Sequence, residues 1–471
     1  MSIKFGTDGW RAVIGEDFTF ENVKIVSQAI AYYIKRQRTS DKRQGVVVGY
    51  DTRFMGREFA EAVAKVLTDN RIKVFLSNGP TSTPALSLGI KQNKLIGGIM
   101  VTASHNPPHY SGIKYKADYA GPAGPEIIKT IESFLGKGSV WIVSKKKGQE
   151  TDLPIGIDLN KPHIKFLKSY IDTGLLKKSR FKVLVDIMYG AGDHLFEKVL
   201  EDTGCKIETI HADLNPGFAG TPPEPIERNL GKLINMVKKG RYNIGLATDG
   251  DADRIGVVSS SGKYITSSQV IALLLVHFVE DKGWTGAVVK TTSGSLLIDE
   301  IAKAYKLKLH ETPVGFKHIC KLMRSGNVLI GGEESGGLGF KNYVPERDGT
   351  LAGLLLLEMM ACRKKSISQI LRDIEKRFGK FVQGRIDLKF SDDKKARLFS
   401  QLASKPPKSL VGEKILWTRT NDGIKLIGKD KSWLLFRASG TEPILRIYCE
   451  SSSDAKMEKL LKFGKSLALK A

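Results

Sequence analysis

Four short loops in this chain of 471 residues carry side chains suited to group transfer. The first, Thr102-Ala103-Ser104-His105-Asn106-Pro107, follows the apolar run Gly97 to Val101. Such a run reads as a buried strand. Pro107 biases Asn106 away from the helical region, so the loop leaves that strand extended. A serine hydroxyl at a strand end is placed to act as a nucleophile or phosphate carrier, or only to cap a turn. The second loop is Asp249-Gly250-Asp251-Ala252-Asp253-Arg254, after the strand Ile244 to Ala247. Alternate residues of an extended segment share a face, so three carboxylates can converge on one hard cation. A calcium hand would need Gly at its sixth position and Glu at its twelfth; Arg254 and Ser260 stand there instead. A magnesium ion with a position open for a phosphate oxygen fits better than a solvated acidic loop.

The third loop, Gly331-Gly332-Glu333-Glu334-Ser335-Gly336-Gly337, follows the strand Val328 to Ile330 and offers carboxylates and a hydroxyl to vicinal hydroxyls of a sugar. The fourth, Arg437-Ala438-Ser439-Gly440-Thr441-Glu442-Pro443, follows the strand Trp433 to Phe436, with Arg446 beyond it. Backbone amides around Gly440, two hydroxyls and an arginine make a phosphate cradle.

The elements that must position these loops repeat. Val46 to Asp51, Val183 to Asp186 and Ala287 to Lys290 are short apolar strands; each empties into a turn that leads to a helix, followed by a further strand. Three such units predict three related α/β domains, each with a ligand-facing strand end. The last hundred residues differ. Segments Lys414 to Trp417, Ile424 to Ile427 and Trp433 to Phe436 alternate around turns such as Asn421-Asp422-Gly423, and a helix over Ala455 to Leu467 closes the chain. That pattern predicts a smaller α+β domain.

A net charge of +24 points towards polyanions, which include nucleic acid, anionic membranes and phosphorylated small molecules. The lysines are spread along the chain, and no zinc-finger spacing, basic zipper or aromatic-basic RNA signature accompanies them, so no nucleic-acid partner is expected. The longest apolar runs, Val270 to Val279 and Leu351 to Ala361, are too short or interrupted to cross a bilayer, and no membrane partner is expected. Lys4, Asp8, Arg11 and Glu16 break any leader-like run at the N-terminus. Cys205, Cys320, Cys362 and Cys449 have neither metal-ligand nor disulfide spacing. A reducing, cytoplasmic setting is the expectation.

Together with Phe5-Gly6-Thr7-Asp8-Gly9-Trp10-Arg11, the four loops resemble the α-D-phosphohexomutases (phosphoglucomutase/phosphomannomutase) over essentially the whole chain. The resemblance implies an α/β architecture of three similar mixed-sheet α/β domains and a smaller C-terminal α+β domain around a central cleft. Their expected spans are 1–152 (phosphoserine), 153–256 (metal), 257–370 (sugar recognition) and 371–471 (phosphate binding). It implies that Ser104 is the phosphoserine, and that Asp249, Asp251 and Asp253, with an oxygen on Ser104, hold one Mg2+ per chain. Glu333 and Ser335 resemble the readers of sugar hydroxyls. Arg437, Ser439, Gly440, Thr441 and Arg446 resemble the clamp on the phosphate that is not reacting. Arg11, Lys114, Arg254 and Lys290 match basic positions lining the cleft, with Lys114 or His105 as the carrier of the hydroxyl proton.

The expected reaction interconverts hexose 1-phosphate and hexose 6-phosphate through a hexose 1,6-bisphosphate that also serves as activator. Glucose is expected before mannose, and glucosamine third, because Glu333-Glu334-Ser335 resembles glucose-type mutases more than the Glu-Gln-Ser of glucosamine mutases. The chain departs from many relatives at Ser111, which precedes Gly112 where they have Asn. Gly337 and Phe316 stand where some members carry histidines. Intact Ser104 and all three aspartates argue against a non-catalytic sugar-phosphate or polyanion binder.

Overall fold

The computed structural model describes residues 3–6, 8–37, 45–137, 153–438 and 444–470. Three sheets are built around the strands Val46–Tyr50, Lys182–Asp186 and Ala287–Thr291. Each is short, rich in valine and buried over nearly its whole length, as befits a strand covered on both faces. Each pairs in parallel with two neighbours. One neighbour in each sheet (Gly97–Val101, Ile244–Thr248, Val328–Gly332) then reverses into an antiparallel partner: Tyr110–Ala117, Ile255–Ser259 or Leu338–Phe340.

The connections at those three reversals are the Ser104 loop, the acidic loop and the Glu333 loop. The repeat seen in the sequence therefore sets the three chemical loops at equivalent strand ends of three sheets. Edge strands complete the first two sheets. Trp10–Val13 and Ile155–Ile157 flank the first, and Tyr264–Ile265 and Lys206–Ile210 flank the second. Ile155–Ile157 lies past residue 152 and Tyr264–Ile265 past residue 256, the ends expected for those two domains.

The last domain is a six-stranded, wholly antiparallel sheet, in the order Val382–Lys389, Ile444–Ser451, Trp433–Ala438, Ile424–Gly428, Glu413–Arg419 and Ser409–Leu410. The helices Asp392–Ser404 and Asp454–Leu469 supply apolar residues to its core. It is the α+β domain that the alternating segments predict.

One continuous apolar core runs from Leu86 and Ile90 of the first unit through the second and into the helix Gly349–Arg363 of the third. That helix is apolar around most of its circumference and buried accordingly. Its start is fixed by Asp348, whose side chain accepts the backbone N–H of Leu351 at 2.8 Å, and the cap sets the preceding residue, Arg347, at the site. No helix among the described residues is long and apolar enough to cross a membrane.

Candidate active site

Ser104 sits in the left-handed region at φ 53° and is 1% exposed. That backbone costs a non-glycine residue about 1–3 kcal/mol unless its surroundings impose it. Here they do. The Ser104 N–H donates to Thr102 Oγ1 at 2.8 Å. Arg53 Nη2 donates to the carbonyls of Ser104 (2.6 Å) and Asn106 (2.7 Å), and Nη1 to those of Pro107 and Tyr110 (2.9 Å each). Arg11 Nη1 adds bonds to the Ala103 carbonyl at 3.1 Å and Asn106 Oδ1 at 2.6 Å. So held, Ser104 donates its hydroxyl to Asp249 Oδ2 at 2.7 Å.

The three aspartates are fully buried, with one ligand atom from each lying within 4.8 Å of the others. Each has oxygens held by the protein. Asp249 Oδ1 accepts the N–H groups of Asp253 (3.0 Å) and Arg254 (3.1 Å). Asp251 Oδ2 accepts from Thr83 Oγ1 (2.5 Å) and Lys114 Nζ (2.6 Å). Asp253 Oδ2 pairs with Lys114 at 3.3 Å and Arg347 Nη2 at 2.6 Å. Asp251 Oδ1 and Asp253 Oδ1 are buried with no hydrogen-bond partner among the described residues. Open carboxylate oxygens beside a serine hydroxyl form the all-oxygen donor set of a hard divalent cation. Burial and the two neighbouring carboxylates push Asp249 well above the usual carboxylate range. Burial acts on Asp251 in the same direction, but the Lys114 ammonium overrides it and holds that carboxyl low.

Lys114 itself stays protonated. Burial favours its neutral form, yet Asp251, Asp8 and Asp253 hold its pKa above the ordinary value. His105 is driven the other way, well below its ordinary value, by burial and by Arg254, Arg11, Lys114 and Arg53; its buried Nδ1 has no partner among the described residues. Arg254 Nε lies 3.9 Å from both Asp249 and Asp253. Ser104, His105, Arg11, Lys114, Arg254 and the three aspartates therefore form one cluster.

The Glu333 loop joins it through the main chain, since Arg254 bridges to Gly337. Glu333 Oε1 accepts the Gly315 N–H at 3.0 Å, and Oε2 lies 3.6 Å from Arg347 Nη1. Burial raises its pKa to about 7 in spite of Arg347. Ser335 is half-buried in the same turn. In the last domain Arg437 and Arg446 stand directly opposite each other on adjacent strands. Ser439, Gly440 and Thr441 lie outside the described residues. Lys290 is placed elsewhere: its buried ammonium bonds Asp299 and the Ser295 carbonyl (3.1 Å), at the junction with the last domain, where Lys425 donates to the Thr292 carbonyl at 2.7 Å.

Sequence reasoning missed several members. Arg347 reaches Asp8 (2.5 Å) as well as Asp253, and Lys116 pairs with Glu346 at 2.6 Å. The signal available was Pro345-Glu346-Arg347-Asp348-Gly349, three consecutive charges ahead of an apolar helix. Gly337 is part of the same arrangement, because a β-carbon there would lie 2.3 Å from Arg347 Cδ. The space beside Gly337 is taken by the Arg347 side chain. Arg53, which holds the Ser104 loop, and Thr83, which donates to Asp251, belong to the same group.

Models of the four domains of the phosphoglucomutase/phosphomannomutase family match in chain order. The three α/β/α domains I, II and III match residues 2–139, 161–262 and 266–378, and the C-terminal domain matches 371–463. This chain belongs to that family. A phosphoglucomutase/phosphomannomutase of Thermococcus kodakarensis is 32% identical over 464 residues, covering 98% of each chain. A phosphoglucosamine/phosphogalactosamine mutase of Sulfurisphaera tokodaii is 30% identical over 463 residues, covering 96% of each. A crystal structure from Thermus thermophilus, assigned there as a phosphomannomutase, superposes with a TM-score of 0.88 at 32% identity and covers 100% of this chain and 99% of its own. The family is one of phosphohexomutases, so this chain is a phosphotransferase isomerase.

Proposed function

We propose that this phosphohexomutase interconverts glucose 1-phosphate and glucose 6-phosphate through phospho-Ser104 and glucose 1,6-bisphosphate, with one magnesium ion per chain. The observation that carries the reading is the Ser104 hydroxyl 2.7 Å from Asp249, inside a buried acidic triad with two oxygens that have no hydrogen-bond partner among the described residues. Asp249, Asp251 and Asp253 are the residues to hold magnesium, which when bound draws negative charge off the phosphoryl group.

The remaining work falls to the chain's own groups. The free hydroxyl of the sugar attacks the phosphorus of phospho-Ser104, and the bond to Ser104 Oγ breaks. Neutral His105 is the candidate to take up the hydroxyl proton, and protonated Lys114 the candidate to give one to the departing Ser104 oxygen. Arg254 and Arg11 offset the charge of the transferring group. Arg437 and Arg446 stand directly opposite each other on two adjacent strands, two guanidinium groups suited to gripping the phosphate at the other end of the sugar. The bisphosphate then turns end for end, and its second phosphate returns to Ser104.

For the sugar, Glu333 faces the cluster through Arg347. Its neighbour Glu334 is turned towards the last domain and accepts from Tyr448 (3.3 Å) and Thr291 (3.2 Å). An amino-sugar phosphate is the second reading, favoured by the Sulfurisphaera tokodaii relative's name. Coupled assays with the 1-phosphates of glucose, mannose and glucosamine separate these readings, with Ser104→Ala as the inactive control. Glucose is expected to give the highest kcat/KM; a preference for glucosamine would overturn the sugar assignment.

A further inference from the structure

The turn Asn421-Asp422-Gly423 joins the strands Glu413–Arg419 and Ile424–Gly428 of the last domain. It is pressed against the strand that bears Arg437. Gly423 has φ 94°, and a β-carbon there would lie 2.1 Å from the Phe436 carbonyl oxygen. This fixes where the Asp422 carboxylate projects.

One atom of that carboxylate serves two domains. Asp422 Oδ2 accepts from Arg437 Nε at 2.8 Å and from the backbone N–H of Val314, in the third unit, also at 2.8 Å. The next amide, Gly315, donates to Glu333 Oε1. Glu333 in turn lies beside Arg347, which pairs with Asp253 of the acidic loop. A chain of short contacts thus runs from the arginine pair to the acidic triad, and it crosses the domain boundary at Asp422.

We propose that Asp422 is a positioning residue of the mutase reaction. It orients the Arg437 guanidinium and straps it to the segment that holds Glu333. The grip on the non-reacting phosphate and the sugar-reading loop are thereby kept in register while the bisphosphate turns. The proposal rests on the mutase reading. Asp422→Asn keeps an oxygen for the Val314 N–H but removes the charge opposite Arg437, and Asp422→Ala removes both.

The test measures wild type, D422N and D422A with glucose 1-phosphate over a range of added glucose 1,6-bisphosphate, alongside thermal unfolding. For D422N the expected result is a KM raised about tenfold, the scale of one lost charge-assisted hydrogen bond, with kcat at saturation within about twofold. The bisphosphate needed for half-maximal rate should rise several-fold, because a loosened grip releases the intermediate more often. D422A should move further in the same direction. Unchanged KM and activator requirement in D422A would overturn the proposal, as would a loss of kcat that follows melting temperature with KM unmoved. A wild-type protein without turnover on any hexose phosphate would overturn the mutase reading itself, and the proposal with it.

Discussion

Gly250 and Ser104 meet main chain to main chain: a β-carbon on Gly250 would lie 2.5 Å from the Ser104 carbonyl oxygen. The acidic loop and the serine loop come from different domains, and this contact sets the distance between them. Neither backbone can move aside cheaply, since Arg53 holds the Ser104 carbonyl from the other side. Gly250→Ala is therefore expected to push the triad away from Ser104 and lower kcat about 100-fold, the usual cost of a misplacement near 1 Å. Steady-state kinetics beside an unchanged circular dichroism spectrum check it; wild-type kcat would show that the two loops need not touch.

Divalent metal should stabilise the fold as well as support turnover. Asp251 Oδ1 and Asp253 Oδ1 are buried with no hydrogen-bond partner among the described residues, and three carboxylates crowd one site. Magnesium at about 100 times its Kd should add about 2.7 kcal/mol of stability. Asp253→Asn should shrink that increment. Melting curves with and without magnesium, before and after chelation, read it directly.

Arg347 is the hub of a buried charge network that serves Asp8, Asp253 and Glu333. Those carboxylates, with Glu346, also hold its pKa well above the ordinary value against burial. Arg347→Met leaves the carboxylates short of a cation and should cost about 3–5 kcal/mol, the range for breaking a buried pair. Urea unfolding of the two proteins measures the difference.

Glu333 gives a pH dependence of definite sign. Burial raises its folded pKa to about 7 from an ordinary value of 4.5. The folded state therefore binds more protons than the unfolded chain between those two values. Its contribution to stability is fully present below about pH 4.5 and is lost as pH rises through about 7. Glu333→Gln imitates the protonated form, so its stability relative to wild type should grow across that window and level off above it. Urea unfolding at several pH values reads the trend; a difference independent of pH would contradict it.

Most of the local design was legible in the chain. Each chemical loop is a contiguous stretch after an apolar strand, and the thrice-repeated strand, turn and helix shows in hydrophobic pattern alone. The reach of single side chains was not legible. Arg347 and Asp8 are 339 residues apart, and nothing near either position signals the other. Lys290 sits at the end of a strand like those that carry the chemical loops, yet its ammonium is taken up by Asp299 on the following helix. The space at Gly337 was visible as a missing side chain. That Arg347 fills it is a fact of packing between the loop and the residue just before a helix.

One serine is expected to carry the phosphoryl group through every turnover. The direct measurement follows that group. Protein bearing a labelled phosphate on Ser104 is mixed with unlabelled glucose 1-phosphate, and the label is traced by peptide mass spectrometry and in the sugar pool. The label should leave Ser104 and appear in glucose bisphosphate and then glucose 6-phosphate, while Ser104 is refilled from the substrate. Turnover that proceeds while the label stays on Ser104, or with position 104 never phosphorylated, would contradict it.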